Sequence, residues 1–121
     1  MAVILIIDDS PTELHLFQNM LEKNGFETLV ADSGEEGLRQ AQASRPDCIL
    51  MDVVMPGMNG FQATRKLNQD PKTSSIPVII ITTKDQETDK IWGMRQGAVE
   101  YLVKPIREND LVAKINAVMA D

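Results

Sequence analysis

The sequence predicts an α/β domain, a doubly wound parallel sheet of five strands with five helices between and after them. Three observations carry that prediction. Short apolar runs recur at Val3–Ile7, Phe26–Ala31, Cys48–Met51, Pro77–Ile81 and Val99–Val103. Stretches with helix-start residues or apolar residues at helical spacing fall between them. The runs also end alike, in polar or charged residues: Asp8-Asp9, Asp52, Thr82-Thr83 and Lys104. Strands alternating with helices give a parallel sheet with right-handed crossovers and helices on both faces.

Val3–Ile7 is continuous and rich in Ile, as expected of a strand covered on both faces. Ser10-Pro11-Thr12-Glu13 then reads as a capping box with Pro at the first helical position. Leu14, Phe17 and Leu21 recur at helical spacing, with Met20 beside them, and Gly25 stops the helix. His15 lies in this helix with no second His or Cys near it, which argues against a metal ligand. Phe26–Ala31 contains Glu27 and Thr28, which suits an edge strand.

Ser33-Gly34-Glu35-Glu36 reads as a second capping box, and its helix ends before Pro46. Cys48–Met51 is the third strand, broken by Pro56-Gly57 beyond Asp52. Asn59 with Gln62 starts a third helix, which runs to about Asn68, and 69–75 is a polar loop. Pro77 opens the fourth strand, where a missing N–H is tolerated. A helix over 85–96 stops at Gly97, Val99–Val103 is the fifth strand, and Leu111, Ile115 and Val118 mark the last helix, 106–120. There are no repeats or linkers, and the 121 residues suit one domain.

Composition excludes several classes. The net charge of −6 argues against binding nucleic acid through its phosphates. No apolar stretch reaches the ~20 residues that span a bilayer, and a strand pattern begins within three residues of Met1, leaving no place for a signal peptide. Cys48 is the only cysteine and lies in an apolar run, so it packs rather than pairs. These features predict a cytoplasmic protein with no membrane partner.

Ligands of open parallel sheets bind beyond the carboxyl ends of the strands, where strand order reverses. That edge gathers Asp8, Asp9 and Asp52 with the Thr82 hydroxyl and the Lys104 ammonium. Clustered carboxylates repel one another unless one is protonated or a cation is bound, and a hard ion such as Mg²⁺ suits oxygen ligands. A metal alone does not call for Lys104. Metal, ammonium and hydroxyl together are the parts that clamp a transferring phosphoryl group, with a carboxylate able to act as nucleophile. Asp52 is central and alone on its strand, and is the candidate nucleophile.

Asp8-Asp9, the segment from Asp52 through Met55-Pro56-Gly57 to Gly60, Thr82 after an apolar strand and Lys104-Pro105 resemble bacterial response-regulator receiver domains of the chemotaxis type. The resemblance covers the whole chain, 1–121, as a single receiver domain without an output domain. It implies a flavodoxin-like (βα)5 sheet of order 2-1-3-4-5; that order comes from the resemblance, since the alternation of strands and helices leaves it open. It further implies Asp52 as phosphoacceptor, with Mg²⁺ held by Asp9, Asp52 and the Val54 backbone carbonyl, and Asp8 acting through water. Thr82 and Lys104 become phosphoryl contacts, Tyr101 a switch residue paired with Thr82, and the Lys104-Pro105 bond cis. Asp9 to Glu13, Asn59 to Arg65 and Thr82 to Lys90 are similar, more narrowly, to single-domain regulators of type IV pilus twitching motility, the PilH type.

The function this implies is that of a two-component phosphoprotein. It takes its phosphoryl group from a CheA-like histidine kinase and re-shapes a face made by the fourth helix, fifth strand and fifth helix for a target protein. Trp92 and Tyr101 belong to that face, with Ile91 and Met94 turned inward. A phosphate-sink role is the alternative. An aspartate-nucleophile phosphatase would carry a second acid two residues after its nucleophile, and Val54 stands there. The chain is therefore expected to catalyse only its own phosphorylation and dephosphorylation. A nucleotide or flavin carrier would need backbone N–H groups after the first strand, where Asp8-Asp9-Ser10-Pro11 offers two charges and a proline.

Overall fold

The computed structural model describes residues 1–120. Strands β1 (Val3–Ile7), β2 (Glu27–Ala31), β3 (Cys48–Met51), β4 (Val78–Thr82) and β5 (Glu100–Val103) alternate with helices α1 (Pro11–Lys23), α2 (Gly34–Ser44), α3 (Gly60–Gln69), α4 (Glu87–Arg95) and α5 (Glu108–Met119). All strand pairs are parallel and the order is β2-β1-β3-β4-β5, as the resemblance implied. The order reverses between β1 and β3, which places the ends of those two strands, and so Asp8, Asp9 and Asp52, at the switch point.

Period-two alternation divides the strand side chains between two cores. Ile4, Ile6, Cys48, Leu50, Ile79 and Ile81 pack under Leu14, Phe17 and Leu21 of α1 and Leu111 and Ile115 of α5. Leu5, Ile7, Ile49, Met51 and Ile80 face the other way, against Ala41 of α2 and Ala63 and Leu67 of α3. Both faces are covered, which is why β1, β3 and β4 read as unbroken apolar runs. The edge strand β2, with Glu27 exposed and Thr28 half-buried, is the mixed one.

The helix ends follow the sequence in outline, and α5 begins at Glu108 rather than Ile106. Asn59 and Gln62 form the complete capping box. Ser10 and Ser33 cap only one way, each accepting from the N–H three residues on, because the Glu13 carboxylate lies on Lys104 and that of Glu36 on Arg39 and Gln40. Helix α4 begins at Glu87, with Gln86 as cap, and leaves Asp85 in the loop.

The β3–α3 connection determines how Asp52 is presented. Gly60 N–H bonds the Val53 carbonyl at 2.9 Å, folding the loop back onto the strand end. A Cβ on Gly60 would strike the Asp52 carbonyl oxygen and lie 2.8 Å from Val53 Cα. Backbone cannot move aside as a side chain can. Gly60→Ala is therefore expected to destabilise the domain by about 3 kcal/mol, the upper end of overpacking effects. Urea unfolding measures it, and a loss below about 1 kcal/mol would show that the loop re-forms at no great cost.

Candidate functional site

The carboxylates of Asp8, Asp9 and Asp52 converge at the switch point, with one oxygen from each within 4.8 Å of the others. Asp8 and Asp52 are buried and Asp9 is exposed. Each buried acid is held by its own loop: Asp8 Oδ1 accepts from Ser10 N–H at 3.0 Å, and Asp52 Oδ1 from Val53 N–H at 2.9 Å. Lys104 follows β5, and its N–H bonds the Thr82 carbonyl at 2.8 Å, which fixes its backbone to the end of β4. Its side chain reaches back across the sheet edge. Nζ lies 3.0 Å from Asp8 and 3.9 Å from Asp52, above the Phe17 ring at 5.7 Å from the centroid. The Lys104-Pro105 bond is cis.

Burial raises the Asp52 carboxyl above the ordinary range, and the neighbouring Asp8 charge adds to it. Lys104, the Val53 N–H and the Thr82 hydroxyl pull the other way and only partly offset this. Burial by itself would weaken the Lys104 ammonium, but its hydrogen bonds to Glu13 and Asp8 and the charge of Asp52 outweigh it and hold the lysine more firmly protonated. The site is a concentration of negative charge with one embedded cation.

Three oxygen donors at this spacing fit a hard divalent ion that keeps several waters. Asp9 and Asp52 would hold it with Asp8 close beside them, and the ion would supply positive charge to a dianionic ligand. Val54, 57% exposed, lies two residues beyond Asp52, so no acid stands there to protonate a leaving group.

Tyr101 is only 6% exposed, so it is not an accessible part of the face expected from the sequence. Its hydroxyl donates to the Lys84 carbonyl at 2.8 Å, in the loop after Thr82, and the Thr82 hydroxyl accepts from Lys84 N–H at 3.4 Å. Thr82 and Tyr101 therefore meet at one peptide segment. Nor do Ile91 and Met94 turn inward: both are exposed, as is Trp92 at 48%. The residue of α4 that faces in is Gly93, because the Tyr101 ring and Ile80 fill the space beneath it, where a Cβ would come within 2.9 Å of Tyr101 Cδ2.

Two residues at the site were read in the sequence for other roles. Glu13, read as a cap, accepts from Lys104 Nζ at 2.9 Å, and Phe17, read as core, lies beneath the same ammonium. Both sit on α1, on the side of the sheet that Lys104 crosses.

A parallel sheet that presents carboxylates, a hydroxyl and a lysine at its switch point defines a phosphoryl-accepting signalling domain of the two-component class. The chain belongs to the response regulator receiver domain family, which matches residues 4–116. It is 60% identical over 120 residues to protein PilH of Pseudomonas aeruginosa, covering 99% of each chain. The chemotaxis protein CheY4 of Vibrio cholerae superposes with a TM-score of 0.92 at 32% identity, over 98% of both chains. The receiver domain of the sensor histidine kinase PA1611 of P. aeruginosa, described with a magnesium ion coordinated in its active site cleft, superposes with a TM-score of 0.92 at 26% identity, over 99% of this chain and 98% of that one. No helix among the described residues is long and apolar enough to cross a membrane.

The buried phenol gives a direct readout. Burial, then the charges of Asp89, Asp85 and Asp52, push Tyr101 up to about 12. It is the only tyrosine, so phenolate absorbance reports it alone. The folded phenol holds its proton more tightly than the unfolded one, whose pKa is about 10. Its contribution to stability is complete below that value and is lost as pH rises through the folded midpoint. Titration of the folded protein should give a midpoint near 12; a midpoint near 10 would place the hydroxyl in solvent.

Proposed function

We propose that Asp52 accepts a phosphoryl group from the phosphohistidine of a CheA-like histidine kinase, with Mg²⁺ bound by Asp9, Asp52 and the Val54 carbonyl and assisted by Asp8. The observation that carries this reading is the convergence of three carboxylates with Lys104 beside Asp52 at the sheet's switch point. In the transfer the donor N–P bond breaks as an Asp52 oxygen bonds phosphorus. The imidazole leaves with the electron pair and takes up a proton. Lys104 and Thr82 bind the phosphoryl oxygens, whose charge they are placed to offset. Burial and the Asp8 charge raise the Asp52 carboxyl, which makes its ionised oxygen the more basic one for attack on phosphorus. The only chemistry assigned to the chain itself is its own phosphorylation and dephosphorylation.

Phosphate draws Thr82 toward Asp52. The segment after Thr82 carries Lys84, to which Tyr101 is bonded, and the Tyr101 ring supports α4 at Gly93. A change at the site thus has a contiguous path to the α4–β5–α5 face, the bistable element such a switch needs. That face presents Ile91, Trp92, Met94 and Val103 to solvent. A protein target reads it. The 60% identity to PilH across 99% of both chains supports a cytoplasmic role in type IV pilus twitching motility.

Acetyl phosphate with Mg²⁺ should add one phosphoryl mass to the protein, and Asp52→Asn should add none. Equal loading of the two would refute the assignment.

The output face is tested separately. Trp92→Ala removes an exposed aromatic of the kind that dominates interface energetics. It should weaken binding of the phosphorylated protein to its target at least tenfold, about 1.4 kcal/mol, and leave Asp52 phosphorylation intact. Unchanged affinity would move the output face elsewhere on the domain.

A further inference from the structure

Lys104 is, among the described residues, the one cation within 4.0 Å of Asp8 or Asp52. An ammonium has three N–H donors. One meets Asp8 Oδ2 at 3.0 Å and another Glu13 Oε1 at 2.9 Å, while Asp52 Oδ1 at 3.9 Å is beyond hydrogen-bond range. The carboxylate nearest the lysine thus belongs to a residue outside the three-acid cluster. Glu13 is not held there by any capping duty, since Ser10 N–H bonds Asp8 instead. The pair is partly shielded from water, with the lysine side chain 11% exposed and that of Glu13 29%. With Phe17 beneath it, Lys104 is fixed on the α1 side of the site.

We infer that Glu13 is a positioning residue that competes with the phosphoryl group for Lys104, favouring the metal-bound site and opposing the phosphorylated one. The inference rests on the reading of Asp52 as phosphoacceptor. A phosphoryl group adds a charge of about −2, and Lys104 must turn from 3.9 Å into contact with it. The carboxylates it leaves are not equivalent. Asp8 remains beside a bound cation, whereas Glu13 lies outside the cluster and is left unpaired near a dianion. Removing the Glu13 charge should therefore stabilise the phosphorylated form relative to the empty one. For a divalent cation the sign reverses, because Glu13 both adds negative charge and holds the ammonium to one side.

These opposite signs separate the inference from a merely structural role, which would shift both affinities the same way or neither. Glu13→Gln keeps the side-chain length, and the Ser10 cap uses only the Glu13 backbone, so the helix start is preserved. Calorimetry on the whole chain would measure Mg²⁺ binding first, then beryllofluoride, a phosphoryl mimic, at saturating Mg²⁺. Relative to wild type, Glu13→Gln should weaken Mg²⁺ and tighten beryllofluoride, each by about three- to tenfold, as expected for loss of one partly shielded ion pair. Glu13→Ala should show the same two signs. If wild type binds both ligands and the variants shift neither, or shift both in one direction, the role of Glu13 is overturned while the phosphoacceptor reading stands. If wild type binds Mg²⁺ but no beryllofluoride, the reading of Asp52 fails and the competition fails with it.

Discussion

Negative charge crowded around a single ammonium is the constraint on which the rest of the site depends. Parallel strands that end together bring Asp8, Asp9 and Asp52 to one edge, and nothing in the sheet itself relieves their repulsion. Lys104 is the internal answer, and it reaches Asp8 only because β5 ends level with β4 and its N–H is pinned to the Thr82 carbonyl. The order of the strands, the register of β4 with β5 and the loops after β1 and β3 all serve that one arrangement. The free protein holds its acids in a tolerable but unsatisfied state, and a site in that state responds strongly to any cation or anion that enters it.

Much of this was legible in the sequence, for identifiable reasons. Strands covered on both faces leave unbroken apolar runs, so their ends, and the polar residues just beyond, can be read directly. Asp52, Thr82 and Lys104 were found that way. Asn59 and Gln62 behaved as the pattern predicts, each side chain bonding the other's backbone N–H. Ser10 and Glu13 share the same pattern, but Glu13 lies opposite a buried ammonium, and a charged hydrogen bond displaces a capping one. No local signal could have shown this, since the two partners stand at opposite ends of the chain.

Helix α4 shows the other limit. Periodicity could not decide which side of it faces inward, because its apolar residues fall on no single stripe. Ile91 and Met94 looked like anchors and are exposed; the contact with the sheet is made through Gly93. What decides the matter is the bulk of Tyr101, a residue of a different element whose ring already occupies the space. Tyr101 was read as part of an exposed face and is buried, because its exposure depends on where α4 rests.

The absence of a side chain at Gly93 has a mechanical consequence. Aliphatic chains such as those of Leu111 and Ile115 beneath α5 can absorb a small displacement by adjusting their rotamers. Between α4 and β5 at this point there is only the thickness of an aromatic ring, and a ring cannot be compressed. The contact behaves as a rigid spacer. If the ring turns away, the helix above it has no support and must follow or leave a void. Under the proposed function, such a spacer would convey the state of the charged site to the exterior purely as a change of shape, without carrying any charge to the surface where a partner would have to strip water from it.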